Sequence, residues 1–113
     1  MNSGQDLILA FQEERKKLVQ ATEQMKQSGR YLATAERDYR IALRKEILRL
    51  HCEDGVAWTS CDNIAKGSEE VAQLRFRRDV HKSDYESWQE IINCTKLELR
   101  ILEGEINTER RGQ

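Results

Sequence analysis

A chain of 113 residues fits one domain. Charged residues make up 35% of it and aromatics 6%, which excludes a thick globular core, and 19 basic against 20 acidic residues exclude the basic excess of a typical polyanion-binding protein. Proline is absent, where average usage of about 5% would place roughly five or six.

Proline removes a backbone donor and clashes with the preceding turn of a helix. Its absence, beside many Glu, Lys, Arg, Gln, Leu and Ala, is what long helices require. The polar opening Met1 to Asp6 does not read as a targeting signal, and no apolar run approaches the roughly 18 residues of a membrane span. The expected location is therefore the cytoplasm, with no membrane partner. The three cysteines are odd in number and irregularly spaced, and thiols in that compartment are reduced.

A first helix is predicted over 5–52. Leu7, Phe11, Leu18, Ala21, Met25, Leu32, Ala35, Tyr39 and Ala42 fall at alternating steps of three and four, or multiples of them, which is a heptad-like seam. Glu14 and Ser28 are polar positions on it. Gly29 costs about 1 kcal/mol against alanine inside a helix, so QSGRY is the weakest point, a bend or a break. Beyond Tyr39 the apolar face moves to Leu43, Ile47 and Leu50, with Ile41 and Leu48 on a second face.

The stretch HCEDGVAWTSCDNIAKGSEE interrupts the pattern and reads as an elbow over 53–67. Gly55 can end the first helix in a left-handed conformation. Thr59 or Ser60 can cap a short helix over 60–66, and Gly67 can end it. Val56, Trp58 and Ile64 are expected to cover the end of the hairpin.

The last helix is predicted over 69–110. Ser68 offers a hydroxyl cap, and Glu69 and Glu70 suit the positive first turn. Val71, Leu74, Arg78, His81, Tyr85, Trp88, Ile92, Thr95, Leu99, Leu102 and Ile106 then run as a seam of about five heptads. Phe76, Val80, Ile91, Cys94 and Ile101 form a second stripe. Basic residues and a glycine in ERRGQ close it.

The fold expected is all-α: a single domain over 1–113, a long antiparallel helical hairpin with a short helical elbow. The second stripes call for another layer, most economically a homodimer making a four-helix, coiled-coil-like bundle. The rival is a monomeric three-helix bundle whose first helix breaks at Gly29.

No cofactor, metal or enzyme signature emerges. His51, Cys52, Cys61, His81 and Cys94 lack the close paired spacing of structural zinc. His51 and Cys52 are adjacent, and adjacent helical positions point apart. The plain reading of the elbow cysteines is small buried residues closing the hairpin. His81 and Arg78 on the seam are read as polar residues fixing register. The candidate partner-binding set is Arg37, Arg40, Arg44, Arg75, Arg77 and Arg78 with Trp58. Arg37, Arg40 and Arg44 share a helical face, and the hairpin is expected to bring Arg77 and Arg78 towards Arg44 and Arg49. The competing reading pairs these arginines with Glu36, Asp38, Glu46 and Asp79, as surface ion pairs that do little.

AERDYRIALRKEILRL, IAKGSEEVAQLRFRRDVHKSDYESWQEIIN and KLELRILEGEI resemble a group of small proteins encoded by phages and prophages of Firmicutes. Members carry an RDYRIAL segment, a variable turn, an EE-AxLRF-RD segment and a final LELRILE segment, so the resemblance covers about residues 31–106. At the turn, Trp58 and Cys61 stand where the group often has aliphatic residues or proline. The resemblance implies an infected bacterial cytoplasm, often a place among early replication and recombination genes, and no catalytic residue. The expected function is a non-enzymatic accessory or adaptor in phage DNA replication or recombination, acting on another phage or host protein. The alternatives are an inhibitor of a host enzyme or defence nuclease, and direct nucleic-acid binding through the arginines.

Overall fold

The structure is a computed structural model that describes residues 3–112. Met1 and Asn2 of the polar opening, and Gln113 of ERRGQ, lie outside the described residues. Three helices follow one another: α1 (Gly4–Asp54), α2 (Trp58–Lys66) and α3 (Glu69–Arg111). Among the described residues there is no strand. The chain is all-α, a helical hairpin with a short helix in its elbow.

α1 begins with a reciprocal cap that the sequence reading passed over. The Asp6 N–H donates to Ser3 Oγ at 3.2 Å, and the Ser3 N–H donates back to Asp6 Oδ2 at 3.4 Å. Serine followed three residues later by a carboxylate is a capping-box arrangement, which satisfies otherwise orphaned backbone donors.

The helix does not break at Gly29. A side chain at that position would stand 3.5 Å from Cε2 of Tyr85, an ordinary packing distance. The tyrosine ring thus covers the glycine, and packing outweighs the local propensity cost. Gly29→Ala is therefore expected to raise stability by about 0.5–1 kcal/mol. Urea unfolding of the two proteins checks this, and a loss of stability would mean the Tyr85 ring cannot admit even a methyl group.

The described residues gather into two compact units. One joins α1 up to Gln27 with α3 from Glu86 onward, and the other runs from Ser28 to Tyr85 and contains the elbow. In the first unit Gly4 lies against Glu109, so the start of α1 faces the end of α3. Leu7, Ala21, Ile92 and Thr95 are buried there, and the Thr95 hydroxyl donates to the Ile91 carbonyl at 2.7 Å. Glu14, the polar seam position, is ion-paired to Lys17 at 2.9 Å. In the second unit Gly29 faces Tyr85, Tyr31 stacks obliquely on His81 and Glu36 pairs with Arg78, again antiparallel. Ala35, Tyr39, Leu50, Cys61, Ala65 and Val71 are buried in it.

Every residue of both predicted seams is buried or half-buried, including Glu14, Ser28, Arg78 and His81. The second stripes are exposed on the single chain: Ile41, Leu48, Phe76, Val80, Ile91, Cys94 and Ile101.

The elbow departs from expectation in its caps and its lid. Gly55 has φ 69°, the left-handed conformation that glycine adopts without steric cost. It turns Val56 back so that the Val56 N–H donates to the Leu50 carbonyl at 3.1 Å. α2 starts at Trp58, two residues before the predicted 60, after an N-cap at Ala57. Neither Thr59 nor Ser60 caps it, and the cap makes no side-chain hydrogen bond. Ser68 does not cap α3 through its hydroxyl either; that hydroxyl donates backwards to the Ala65 carbonyl at 2.9 Å. Trp58 and Ile64 do not form the lid: both are exposed, at 55% and 48%. The small residues Cys61 and Ala65 meet α1 instead, clustered with Leu50 and flanked by Leu43, Ile47 and Val56. Small side chains on a short helix let it approach closely, which leaves no room beneath for the indole.

Candidate docking groove at the elbow

Seating α2 against α1 through Cys61 and Ala65 sets its first residue, Trp58, beside an outer face of α1. Between them lies a groove of about 370 Å³ lined by Arg40, Leu43, Arg44, Ile47, Leu48 and Trp58. Leu43 and Ile47 share one flank of α1 at i,i+4 spacing. Arg40 and Arg44 stand one turn apart beside them. The groove therefore has an aliphatic floor, an aromatic wall and a rim carrying two guanidinium groups.

The wall is held from behind. The His51 ring stacks on the Trp58 indole, with centroids 3.7 Å apart and planes inclined by 20°. His51 Nδ1 lies 2.8 Å from the Val56 carbonyl. A carbonyl only accepts, so Nδ1 carries a proton and donates it there. That fixes the imidazole, and the imidazole braces the indole. The Cys61 thiol donates weakly to the same carbonyl at 3.5 Å.

The rim is not electrostatically closed. Arg40 pairs with Glu36 at 2.7 Å, but both groups reach solvent. Arg44 carries no ion pair among the described residues. Glu36 is shared, because Arg78 also reaches it at 3.1 Å. Hydrogen bonds from Arg40 first, and Arg78 next, hold the Glu36 carboxyl below the usual carboxylate range.

Of the seven candidate residues, the structure brings together Arg40, Arg44 and Trp58. Arg37 is exposed and paired with Asp38 at 3.1 Å. Arg75 and Arg77 are exposed and do not line the groove. Arg78 is half-buried in the seam, its guanidinium 4.8 Å from the centre of the Tyr39 ring and bonded to Glu36 and Asp79. Arg75, Arg77 and Arg78 do not line the hollow that Arg40, Arg44 and Trp58 share. The antiparallel register sets Arg78 opposite Glu36, two turns of α1 before Arg44, and Arg77 points away from the seam that Arg78 occupies. The competing reading holds for Arg37, Arg40 and Arg78, and for Arg49, which pairs with Glu46 at 2.7 Å and Asp54 at 3.1 Å. It does not hold for Arg44, Arg75 or Arg77, which have no ion pair among the described residues.

A second hollow of about 340 Å³ lies between α1 and the start of α3, lined by Lys45, Glu46, Arg49, Ser68, Glu70 and Val71, among others. Two of its four charged groups, Glu46 and Arg49, answer each other. Glu46 raises the Arg49 guanidinium, and Arg49 lowers the Glu46 carboxyl. Among the described residues no three His, Cys, Asp or Glu side chains are grouped to hold a metal ion. All three cysteines are free; Cys61 is buried, whereas Cys52 is exposed and takes no part in closing the hairpin. Among the described residues no helix is long and apolar enough to cross a membrane.

Two features of the groove escaped sequence reasoning. Leu43, Ile47 and Leu48 were visible as a widened apolar arc, but nothing tied that arc to Trp58. His51 stood out only as a rejected metal or base candidate; its bracing of Trp58 gave no signal, since the stacking depends on the turn at Gly55. Compared with protein families, curated proteins and solved structures, the chain has no match.

Proposed function

We propose that this chain is a helical interaction protein of a phage, an accessory or adaptor in DNA replication or recombination that works by protein–protein contact in the host cytoplasm. The setting rests on the resemblance carried by the RDYRIAL, LRF-RD and LELRILE segments. The mode of action rests on the groove. One observation supports it above the others: a half-exposed tryptophan, braced by His51, stands over an aliphatic floor beside an arginine with no ion partner. Tryptophan and arginine are the side chains most enriched among residues that dominate binding energy at protein interfaces. An apolar floor takes a side chain rather than a phosphate, which favours a protein over nucleic acid as the partner.

Tagged protein retained from phage-infected lysate, washed at low and at high salt, tests the proposal. The wild type is expected to keep a protein partner at high salt. Arg40→Glu with Arg44→Glu is expected to lower its retention roughly tenfold or more while helicity by circular dichroism stays unchanged. Retention of nucleic acid alone, lost as salt rises, would instead mean phosphate contacts carry the binding.

A further inference from the structure

The outer face of α3 in the first unit carries an apolar pair with an acidic edge. Leu97 and Ile101 stand there one turn apart, both more than half exposed. Glu98 and Glu105 flank them at helical spacing, two turns from one another. Neither carboxylate is ion-paired among the described residues. Glu98 contributes at Lys17 only as the last and smallest of several influences on that amine. This is an apolar ridge with two open carboxylates along one edge and Lys96 and Arg100 along the other, so the acidic edge is the one that can face the arginines. The groove is an apolar trough edged by Arg44, which is open, and Arg40, whose pairing to Glu36 is exposed. An amphipathic helix face entering an apolar groove is a recurrent recognition mode, and opposite charges at the edges fix its register.

We infer that the occupant of the elbow groove is a second copy of this chain, whose α3 ridge enters it with Leu97 and Ile101 on the floor and Glu98 and Glu105 against Arg40 and Arg44. This deepens the reading of the groove as a protein-docking surface and rests on it. The contact joins unlike surfaces, so it is heterologous, and each copy offers one groove and one ridge. Its charged edges are solvent-accessible, so association weakens as salt rises, while the apolar floor retains the salt-insensitive part.

Charge exchange tests the inference. Sedimentation equilibrium of the full chain is run from roughly 1 μM to 1 mM, a range that captures weak and moderate affinities. The wild type is expected to self-associate with rising concentration. Arg40→Glu with Arg44→Glu gives acidic groove against acidic ridge, and Glu98→Lys with Glu105→Lys gives basic against basic. Each variant alone is expected to sediment as a monomer with unchanged helicity. Mixed in equal amounts they restore both complementary contacts, and association is expected to return. A wild type that stays monomeric throughout overturns the inference, and so does association that ignores these four charges. In either case, loss of the lysate partner by the arginine variant would leave the groove as a docking surface for a different protein. Unchanged retention of that partner would remove the docking reading as well.

Discussion

Leu50→Ala is expected to lower the unfolding free energy by about 2–4 kcal/mol, in the range for truncating a buried leucine. Leu50 is 5% exposed and meets Cys61 and Ala65, both fully buried. Those partners are small and cannot swing into the space a lost isobutyl group leaves, so the cavity term persists. The effect has a local part too. α2 has nine residues, below the length at which an isolated helix holds in water, and its N-cap makes no side-chain hydrogen bond. Tertiary contact through this cluster is what keeps it helical. Backbone amide exchange in α2 is therefore expected to speed up more than exchange in the middle of α3. Uniform acceleration along the chain would show that the cluster stabilises the whole fold rather than seating α2. The groove should suffer with it, although Leu50 does not line it. Trp58 opens α2 and depends on the docking of that helix as well as on His51, so partner retention is expected to fall in Leu50→Ala as well.

That coupling explains how much was legible in the sequence. The seams were readable because a long helix repeats one simple relation, side chains at steps of three and four sharing a face. Every seam position from Val71 to Ile106 is at least half-buried, even Arg78 and His81, where chemistry alone would have placed them outside. The all-α hairpin follows from that pattern. The elbow was legible at Gly55, where the conformation is dictated by a single residue type. It was not legible at Trp58, Thr59, Ser60 or Ser68, because caps and lids depend on where the backbone goes next. Size misled the reading of Trp58: a large ring was expected inside, but the close approach of α2 to α1 needs small residues at the contact. The site was half-legible for the same reason. Arg40 and Arg44 follow from helical spacing, whereas the exclusion of Arg75, Arg77 and Arg78 follows from the register between helices. A seam pattern does not fix that register.

Arg78→Ala is expected to cost about 1–2 kcal/mol at neutral pH, of which its ion pair supplies only a part. An exposed or half-exposed pair contributes roughly 0–1 kcal/mol. The rest comes from the guanidinium over the Tyr39 ring, about 0.5–1 kcal/mol, and from the aliphatic stem packed in the seam. Partial burial works against the Arg78 charge, and hydrogen bonds to Glu36 and Asp79 outweigh it, so the guanidinium holds its proton more tightly than usual. The same contact sets a pH dependence through Glu36, whose carboxyl Arg40 and Arg78 hold below its ordinary value. A depressed folded-state value means that the unfolded chain takes up the proton first on acidification. The Glu36 contribution is thus complete above the unfolded value of about 4.3 and fades as pH drops through the lower folded one. Glu36→Gln is expected to flatten that part of the acid unfolding curve while changing stability at pH 7 by less than Arg78→Ala does. The double variant, in a mutant cycle against both single ones, separates the pair from the stacking. Additive losses would assign the role of Arg78 to Tyr39 and the seam alone, and leave Arg40 as the cation that holds the Glu36 carboxyl low. Coupling between the two would mean that one cation, drawn out of the expected basic patch, both locks the register of the second unit and shares with Arg40 the carboxylate beside the groove.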